Sequence, residues 1–140
     1  MKGVYPTFIA KSGKDFLVYV PDMDIYTEGE SFINAIEMAR DAIGLKGIDL
    51  EDGQKEIPLG SDCDTAIAKA KEDTEIFDYS QGILTFVDVD FMEYRKKHDN
   101  RMVKKNCTIP FYLSTAAEKE GINFSRVLQE ALIEKLQMRV

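Results

Sequence analysis

The chain has 140 residues, of which 44% are hydrophobic and 31% are charged, and its formal net charge is −7. A chain of this length holds one ordinary domain, or one small domain with an added module. The longest apolar runs are too short to span a bilayer, and the first residues lack the pattern of a secretory signal. We therefore expect a globular protein of the cytoplasm with no membrane partner.

The cysteine and histidine content argues against a metal site. Cys63 and Cys107 have no CxxC spacing, and His98 is the only histidine. A zinc site or a disulfide framework requires more ligands at closer spacing. We therefore expect two reduced cysteines that are buried as small hydrophobic side chains, no chemical role for His98, and no metal or cofactor.

Charge is distributed unevenly along the chain. Residues 1–92 carry 8 Lys and Arg against 19 Asp and Glu, a net charge of −11, whereas residues 93–140 carry 10 against 6, a net charge of +4. This asymmetry predicts a basic partner for the N-terminal part and a polyanion for the C-terminal part. The basic excess comprises Arg95, Lys96, Lys97, Arg101, Lys104 and Lys105.

The first third of the chain predicts a β-hairpin, a short third strand and a helix. Tyr5–Lys11 and Asp15–Val20 are strand-like, and Ser12–Lys14 between them reads as a tight turn. Ile25–Thr27 predicts the third strand, and Ser31 is a good helix N-cap. The predicted buried face of the helix consists of Phe32, Ile36, Ala39 and Ile43, and its predicted end lies at Gly44 and Gly47.

The middle of the chain predicts a loop, a minor helix and the clearest strand. Residues 45–60 are loop-like, and a short helix follows from Ser61–Asp64 to Lys71. Ile83–Phe91 alternates as a strand does, with Val87 and Val89 on one face. The order β-β-β-α-(α)-β predicts an α+β fold with helices on a mainly antiparallel sheet. A domain boundary is expected in the polar stretch of residues 93–101.

The last third predicts a strand followed by two helices. The strand Val103–Ile109 ends at Pro110, and the helices Tyr112–Glu120 and Phe124–Leu136 are separated by Gly121–Asn123. About 35 residues cannot bury a core of their own. A single strand also has to pair with something, and a second copy of the chain is the simplest partner.

The predicted strand carries side chains that can read DNA. Lys104, Asn106 and Thr108 share one face, and lysine can donate to guanine while asparagine can pair with adenine. The free backbone N–H groups at Asn123, Phe124 and Ser125 could hold a phosphate. The alternative is a solvent-facing strand in a module that only dimerises.

Two resemblances follow from these motifs. The string KKNCTIPFYLSTAAEKEGINFSRVLQEAL, from Lys104 to Leu132, resembles a ribbon-helix-helix DNA-binding domain. The N-terminal part resembles the HicB antitoxins through Val20-Pro21-Asp22, Thr27-Glu28-Gly29-Glu30-Ser31 and an Ala-rich helix. Met23-Asp24-Ile25-Tyr26 departs from the Leu-Pro-Gly-Cys-like turn common in that family.

The resemblances imply three segments. Residues 1–95 would form a toxin-binding domain with a truncated RNase H-like fold, residues 96–102 a linker, and residues 103–140 the β-α-α ribbon-helix-helix module that dimerises and binds DNA. The implied function is that of a type II antitoxin, which neutralises a HicA-like mRNA-cleaving toxin and represses its own operon at operator DNA. The expected assembly is a homodimer that could pair into a tetramer through its N-terminal domains.

The acidic residues allow more than one role. Asp22, Asp24 and Glu28 follow the second strand and are the predicted toxin contacts, although they could equally be turn formers. A rival hypothesis is a metal-dependent nuclease, with carboxylates drawn from Asp15, Asp22, Asp24, Asp88 and Asp90. A second rival is a free-standing repressor with a ligand-sensing N-terminal domain. We expect no catalysis, because a strand-end Asp-x-Asp is usually solvated surface.

Overall fold

The computed structural model describes residues 1–72, 74 and 77–138. The chain divides into two compact units, Met1–Arg101 (unit 1) and Met102–Val140 (unit 2). This division falls at the C-terminal end of the stretch 96–102, which the sequence predicts as a linker. Among the described residues, no helix combines the length and the apolar content needed to cross a membrane.

Unit 1 is built on a four-stranded antiparallel sheet. Its strands are β1 (Lys2–Ser12), β2 (Asp15–Val20), β3 (Ile25–Gly29) and β4 (Ile83–Asp90), in the spatial order β3-β2-β1-β4. The hairpin turn places Gly13 at φ +63°, a conformation that glycine adopts without steric cost. The predicted α+β class and the predicted strands of unit 1 are confirmed.

Helices lie on both faces of the sheet. The helices of unit 1 are α1 (Phe32–Asp52), α2 (Cys63–Glu72) and α3 (Phe91–His98). On one face, Tyr5 and Ile9 of β1 pack in a core with α1 and α3. On the other face, Phe8 of β1 packs against Ala66 and Ala70 of α2. The central strand therefore contributes alternate residues to two separate cores.

The predicted end of α1 at Gly44 and Gly47 is wrong. Ser31 caps the helix as predicted, because its Oγ accepts a hydrogen bond from the Asn34 N–H at 3.1 Å, but the helix continues to Asp52. A Cβ at Gly47 would lie 2.3 Å from the ring of Phe91, and one at Gly44 would lie 2.5 Å from the ring of Tyr94. These glycines permit close packing of α3 on α1 and do not stop the helix. Because the helix continues past both glycines, residues 45–52, which were predicted as loop, are helical.

The predicted boundary region belongs to unit 1. Asp90 caps α3 by accepting a hydrogen bond from the Glu93 N–H at 3.2 Å. The helix then covers most of the polar stretch that was expected to separate two domains. Phe91, the first residue of α3, is buried against α1. Because mostly charged residues follow Phe91, the sequence pattern did not predict that this segment packs on unit 1.

Unit 2 contains α4 (Phe111–Lys119) and α5 (Phe124–Lys135). Asn123 caps α5, since its side-chain oxygen accepts a hydrogen bond from the Arg126 N–H at 3.1 Å. Both predicted helices are thus confirmed to within one residue at each end. The predicted strand Val103–Ile109 is not formed, because residues 99–110 belong to no helix or strand. A strand requires a pairing partner, and a single chain supplies none here.

Candidate partner-binding surfaces

Asp22 connects the turn after β2 to the start of α2 through hydrogen bonds. One of its carboxylate oxygens accepts hydrogen bonds from the N–H and the Oγ of Ser61, both at 2.9 Å. The other oxygen accepts from Nζ of Lys69 at 3.2 Å, and the Asp22 side chain is only 5% exposed. This carboxylate is occupied within unit 1.

Asp24 and Glu28, the other two predicted toxin contacts, are solvent-exposed. Asp24 ends the turn in the left-handed conformation at φ 50°, and Glu28 lies on the edge strand β3. Within the described part of the chain, neither carboxylate takes part in an ion pair or a hydrogen bond. The two side chains therefore offer negative charge to a partner, which Asp22 does not.

An aromatic cluster that was not predicted from the sequence includes Tyr26, which lies on the same strand as Glu28. Tyr19 and Tyr26 face each other across β2 and β3, and their rings stack with centroids 4.8 Å apart. Tyr79, which begins the single-turn helix Tyr79–Gln81, packs on both rings at 5.2 and 5.9 Å. Tyr19 lies between Val18 and Val20, which point into the core beneath α1. This alternation could have predicted that Tyr19 points to the other face of the sheet.

Three of the five carboxylates of the nuclease hypothesis, those of Asp22, Asp88 and Asp90, are engaged in structural interactions. Asp88 pairs with Arg40, whose Nη2 lies 3.2 Å from the carboxylate and whose Nε donates to the Asp88 carbonyl at 3.0 Å. Asp90 caps α3, and Asp22 binds the start of α2. Across the residues that the structure describes, no group of three or more His, Cys, Asp and Glu side chains could hold a metal ion. Cys63 and Cys107 are both solvent-exposed, so the expectation that they are buried is wrong.

A charged cleft of about 350 Å³ lies between α1, β4 and α3. Tyr94 on its wall donates a hydrogen bond to Asp41 at 2.8 Å and stacks on His98 with centroids 4.2 Å apart. Burial, together with the hydrogen bond to Asp41, raises the pKa of Tyr94 to about 12. The hydrogen bond from the Tyr94 hydroxyl to Asp41 therefore attaches α3 to α1.

Two arginines of the predicted basic cluster are already paired with acids of unit 1. Arg95 lies 3.0 Å from Asp52, and Arg101 lies 2.7 Å from Asp99 and 3.3 Å from Asp52. The Arg101 guanidinium hydrogen-bonds to Asp99 and holds the pKa of that carboxyl well below its usual range. The expectation that the whole cluster serves a polyanion is therefore too broad, since these two charges are compensated locally.

The six predicted DNA contacts are all solvent-exposed in unit 2. Lys104, Asn106 and Thr108 precede Pro110, in the segment that forms no strand in the single chain. Asn123 uses its side chain to cap α5, and Phe124 and Ser125 form the first turn of that helix. The structure leaves these side chains accessible.

Comparison with solved structures gives similarities over almost the whole chain. A chain of a toxin–antitoxin complex from Streptococcus pneumoniae is 27% identical, with a TM-score of 0.59, over 96% of this chain and 99% of that one. The crystal structure of the antitoxin HicB3 is 28% identical, with a TM-score of 0.50, over 98% and 99% of the two chains. The fold is HicB-like.

A further structure with the HicB-like fold is the antitoxin HicB from Burkholderia pseudomallei, at 22% identity and a TM-score of 0.51, over 95% of this chain and 98% of that one. No protein-family model matches the sequence, and no curated protein is significantly similar to it. The similarities support an antitoxin role and favour a regulatory protein over an enzyme.

Proposed function

We propose that this chain is the antitoxin of a type II, HicAB-like system, which neutralises an mRNA-cleaving toxin through unit 1 and represses its own operon through unit 2. The observation that carries the proposal is the similarity, over 96% of the chain, to a chain of a toxin–antitoxin complex at 27% identity. The match covers residues of both units and is not confined to the sheet of unit 1.

The charge of unit 1 supports a basic partner. Residues 1–101 carry 12 Lys and Arg and 21 Asp and Glu, a net charge of −9. A toxin that cleaves mRNA must bind phosphates, so its active face is expected to be basic. An acidic surface attracts such a face and speeds the encounter between the two proteins. The exposed acids Asp24 and Glu28 are the members of the predicted contact set that can act in this way.

The burial in unit 2 supports a dimer. Within residues 102–138, all of which the structure describes, no residue is buried. The exposed apolar side chains include Ile109, Leu113, Ile122, Val127, Leu128 and Leu132. Two helices with open apolar faces need a partner surface, and a second copy supplies a matching one. In such a dimer, residues 103–109 of the two chains would pair as an antiparallel ribbon.

The ribbon would present the predicted reading face to DNA. Lys104, Asn106 and Thr108 of both chains would approach base edges, while Asn123–Ser125 would approach phosphates. The homodimer formed by unit 2 would carry two copies of unit 1, which could pair again to give a tetramer.

Co-expression with small basic proteins encoded beside the gene tests the toxin half of the proposal. We expect one of them to arrest growth alone, to be neutralised by this chain, and to copurify with it. A salt-dependent gel shift with the upstream DNA tests the repressor half, because binding through phosphates weakens steeply as salt rises.

Deletion of residues 103–140 separates the two halves. The shortened chain should still neutralise the toxin but should neither bind DNA nor form the ribbon-paired dimer. DNA binding by the full chain without any toxin partner would instead identify a free-standing repressor. Retention of DNA binding after the deletion would contradict the assignment of unit 2.

A further inference from the structure

The three tyrosines Tyr19, Tyr26 and Tyr79 form one partly open surface, which we call the tyrosine face. It lies on the sheet face that also carries α2, because Val18 and Val20 point into the other core. Tyr19 joins this face to the interior, since its ring stacks on the fully buried Phe8 at 6.4 Å. The cluster thus extends from the core to the solvent.

Exposure rises along the tyrosine face towards the edge of the sheet. Phe8 is 1% exposed, Tyr19 and Tyr79 are half-buried, and Tyr26 on the edge strand β3 is 55% exposed. The Tyr26 ring packs on the rings of Tyr19 and Tyr79, with centroid distances of 4.8 and 5.9 Å. Because the Tyr26 side chain is already held in place, binding of a partner would remove little of its conformational freedom, which lowers the entropic cost of binding. Tyrosines with these properties are enriched among the residues that dominate binding energy.

Negative charge borders the exposed ring on the same strand. Glu28 lies two residues after Tyr26, so the two side chains stand on one face of β3, and Glu28 pairs across the sheet with Leu17. Among the described residues, no cation or hydrogen-bond donor occupies the Glu28 carboxylate. A tyrosine ring beside a free carboxylate is suited to an arginine or lysine side chain, which the ring attracts by its quadrupole and the carboxylate by its charge.

We infer that the tyrosine face, with Glu28 beside it, is the surface on which unit 1 binds its toxin, and that a basic side chain of the toxin lies against Tyr26. This inference rests on the proposed function and adds the location of the contact. The net charge of −9 on residues 1–101 selects a basic protein as the occupant over a nucleic acid, which aromatic rings could also stack but this unit would repel.

The absence of tryptophan from the sequence permits a sharp test. Full-length Tyr26→Trp, labelled with fluorotryptophan, carries one fluorine reporter on the tyrosine face. The matched control is Phe86→Trp, because Phe86 is 45% exposed on the same side of the sheet but on the opposite edge strand, β4. Three strand spacings separate the two reporters, about 14 Å. Each labelled protein is titrated with the small basic protein that co-expression identifies as the toxin, and separately with single-stranded RNA.

We expect the toxin to shift the fluorine resonance at position 26 and to leave that at position 86 unchanged. Calorimetry should give a dissociation constant about ten-fold higher or more for Tyr26→Ala and for Glu28→Lys. The charge control, Glu37→Lys on α1, should bind as the unmodified chain does. Glu28→Lys alters an exposed side chain, so its result stands even if Tyr26→Ala proves less stable.

The outcomes separate this inference from the proposed function. If the chain neutralises the toxin but neither Tyr26→Ala nor Glu28→Lys weakens binding, the toxin lies elsewhere and the inference is wrong, while the antitoxin function stands. A shift at position 26 with RNA and none with the toxin would make the occupant a nucleic acid. If no neighbouring basic protein binds the full chain, the proposed function and this inference both fail.

Discussion

Replacement of Asp22 by alanine should destabilise unit 1, because this carboxylate joins two parts of the chain that are distant in sequence. Asp22 accepts two hydrogen bonds from Ser61, 39 residues away, and one from Lys69. Its removal leaves the N–H and the hydroxyl of Ser61 without their partner at a partly buried site. The turn after β2 would then lose its attachment to the start of α2.

The magnitude follows from the three contacts. A hydrogen bond to a charged acceptor contributes roughly 1.5–3 kcal/mol. The Lys69 side chain is 42% exposed, so it regains water when the pair is lost, and its part is at most about 1 kcal/mol. Because contacts that share one carboxylate are not additive, we expect a loss of about 3 kcal/mol in the free energy of unfolding. Ser61→Ala should cost about 1 kcal/mol, and Lys69→Ala less than that.

Urea unfolding followed by tyrosine fluorescence measures this loss, because five of the six tyrosines belong to unit 1. Toxin affinity is measured in parallel, under conditions in which the variant remains folded. A change of less than about 1 kcal/mol for Asp22→Ala would refute the reasoning from its contacts. If stability were unchanged while toxin affinity fell, Asp22 would instead be a toxin contact, as predicted from the sequence.

Three further predictions concern packing, ionisation and DNA. Gly47→Ala should lower the melting temperature although alanine favours helices, since the new Cβ would lie 2.3 Å from the buried ring of Phe91 and overpacking costs about 1–3 kcal/mol. The pKa of Tyr94 is raised from 10.0 to about 12. The contribution of Tyr94 to stability is therefore present below pH 10 and is lost as the pH rises to about 12. The Tyr94→Phe variant should lack the last phenolate step in an absorbance titration. Lys104→Ala or Asn106→Ala should weaken operator binding in a gel shift and leave toxin neutralisation intact.

Local patterns in the sequence were sufficient to predict most elements of unit 1. Alternating apolar residues marked β2 and β4, and the Ser31 hydroxyl marked the start of α1 at the residue where it is observed. These signals depend on neighbours in sequence, so no tertiary information is required to read them. The last two helices were predicted for the same reason, because Pro110 and Asn123 lie at their starts.

Features that depend on contacts between distant elements could not be read in this way. Glycine is common at helix ends, so Gly44 and Gly47 predicted an end of α1. Their place inside the helix is explained by the rings of Tyr94 and Phe91 in α3, which pack on these two glycines. Arg101 has the sequence context of a DNA-binding cluster, but Asp52 and Asp99 neutralise it locally. The tyrosine face joins residues from β2, β3 and the turn before β4, so no single window of sequence contains it.

The two units differ in what each needs from another molecule. Unit 1 has buried cores on both faces of its sheet, so it can fold without a partner, and a toxin would add contacts to a surface that already exists. Unit 2 buries none of its described residues, so under the proposed function its order would come from association with a second copy. If DNA binding requires that dimer, as proposed, dilution should abolish it at concentrations where a single chain still binds one toxin. Under the proposed function, the concentration of the antitoxin would then control repression more steeply than neutralisation.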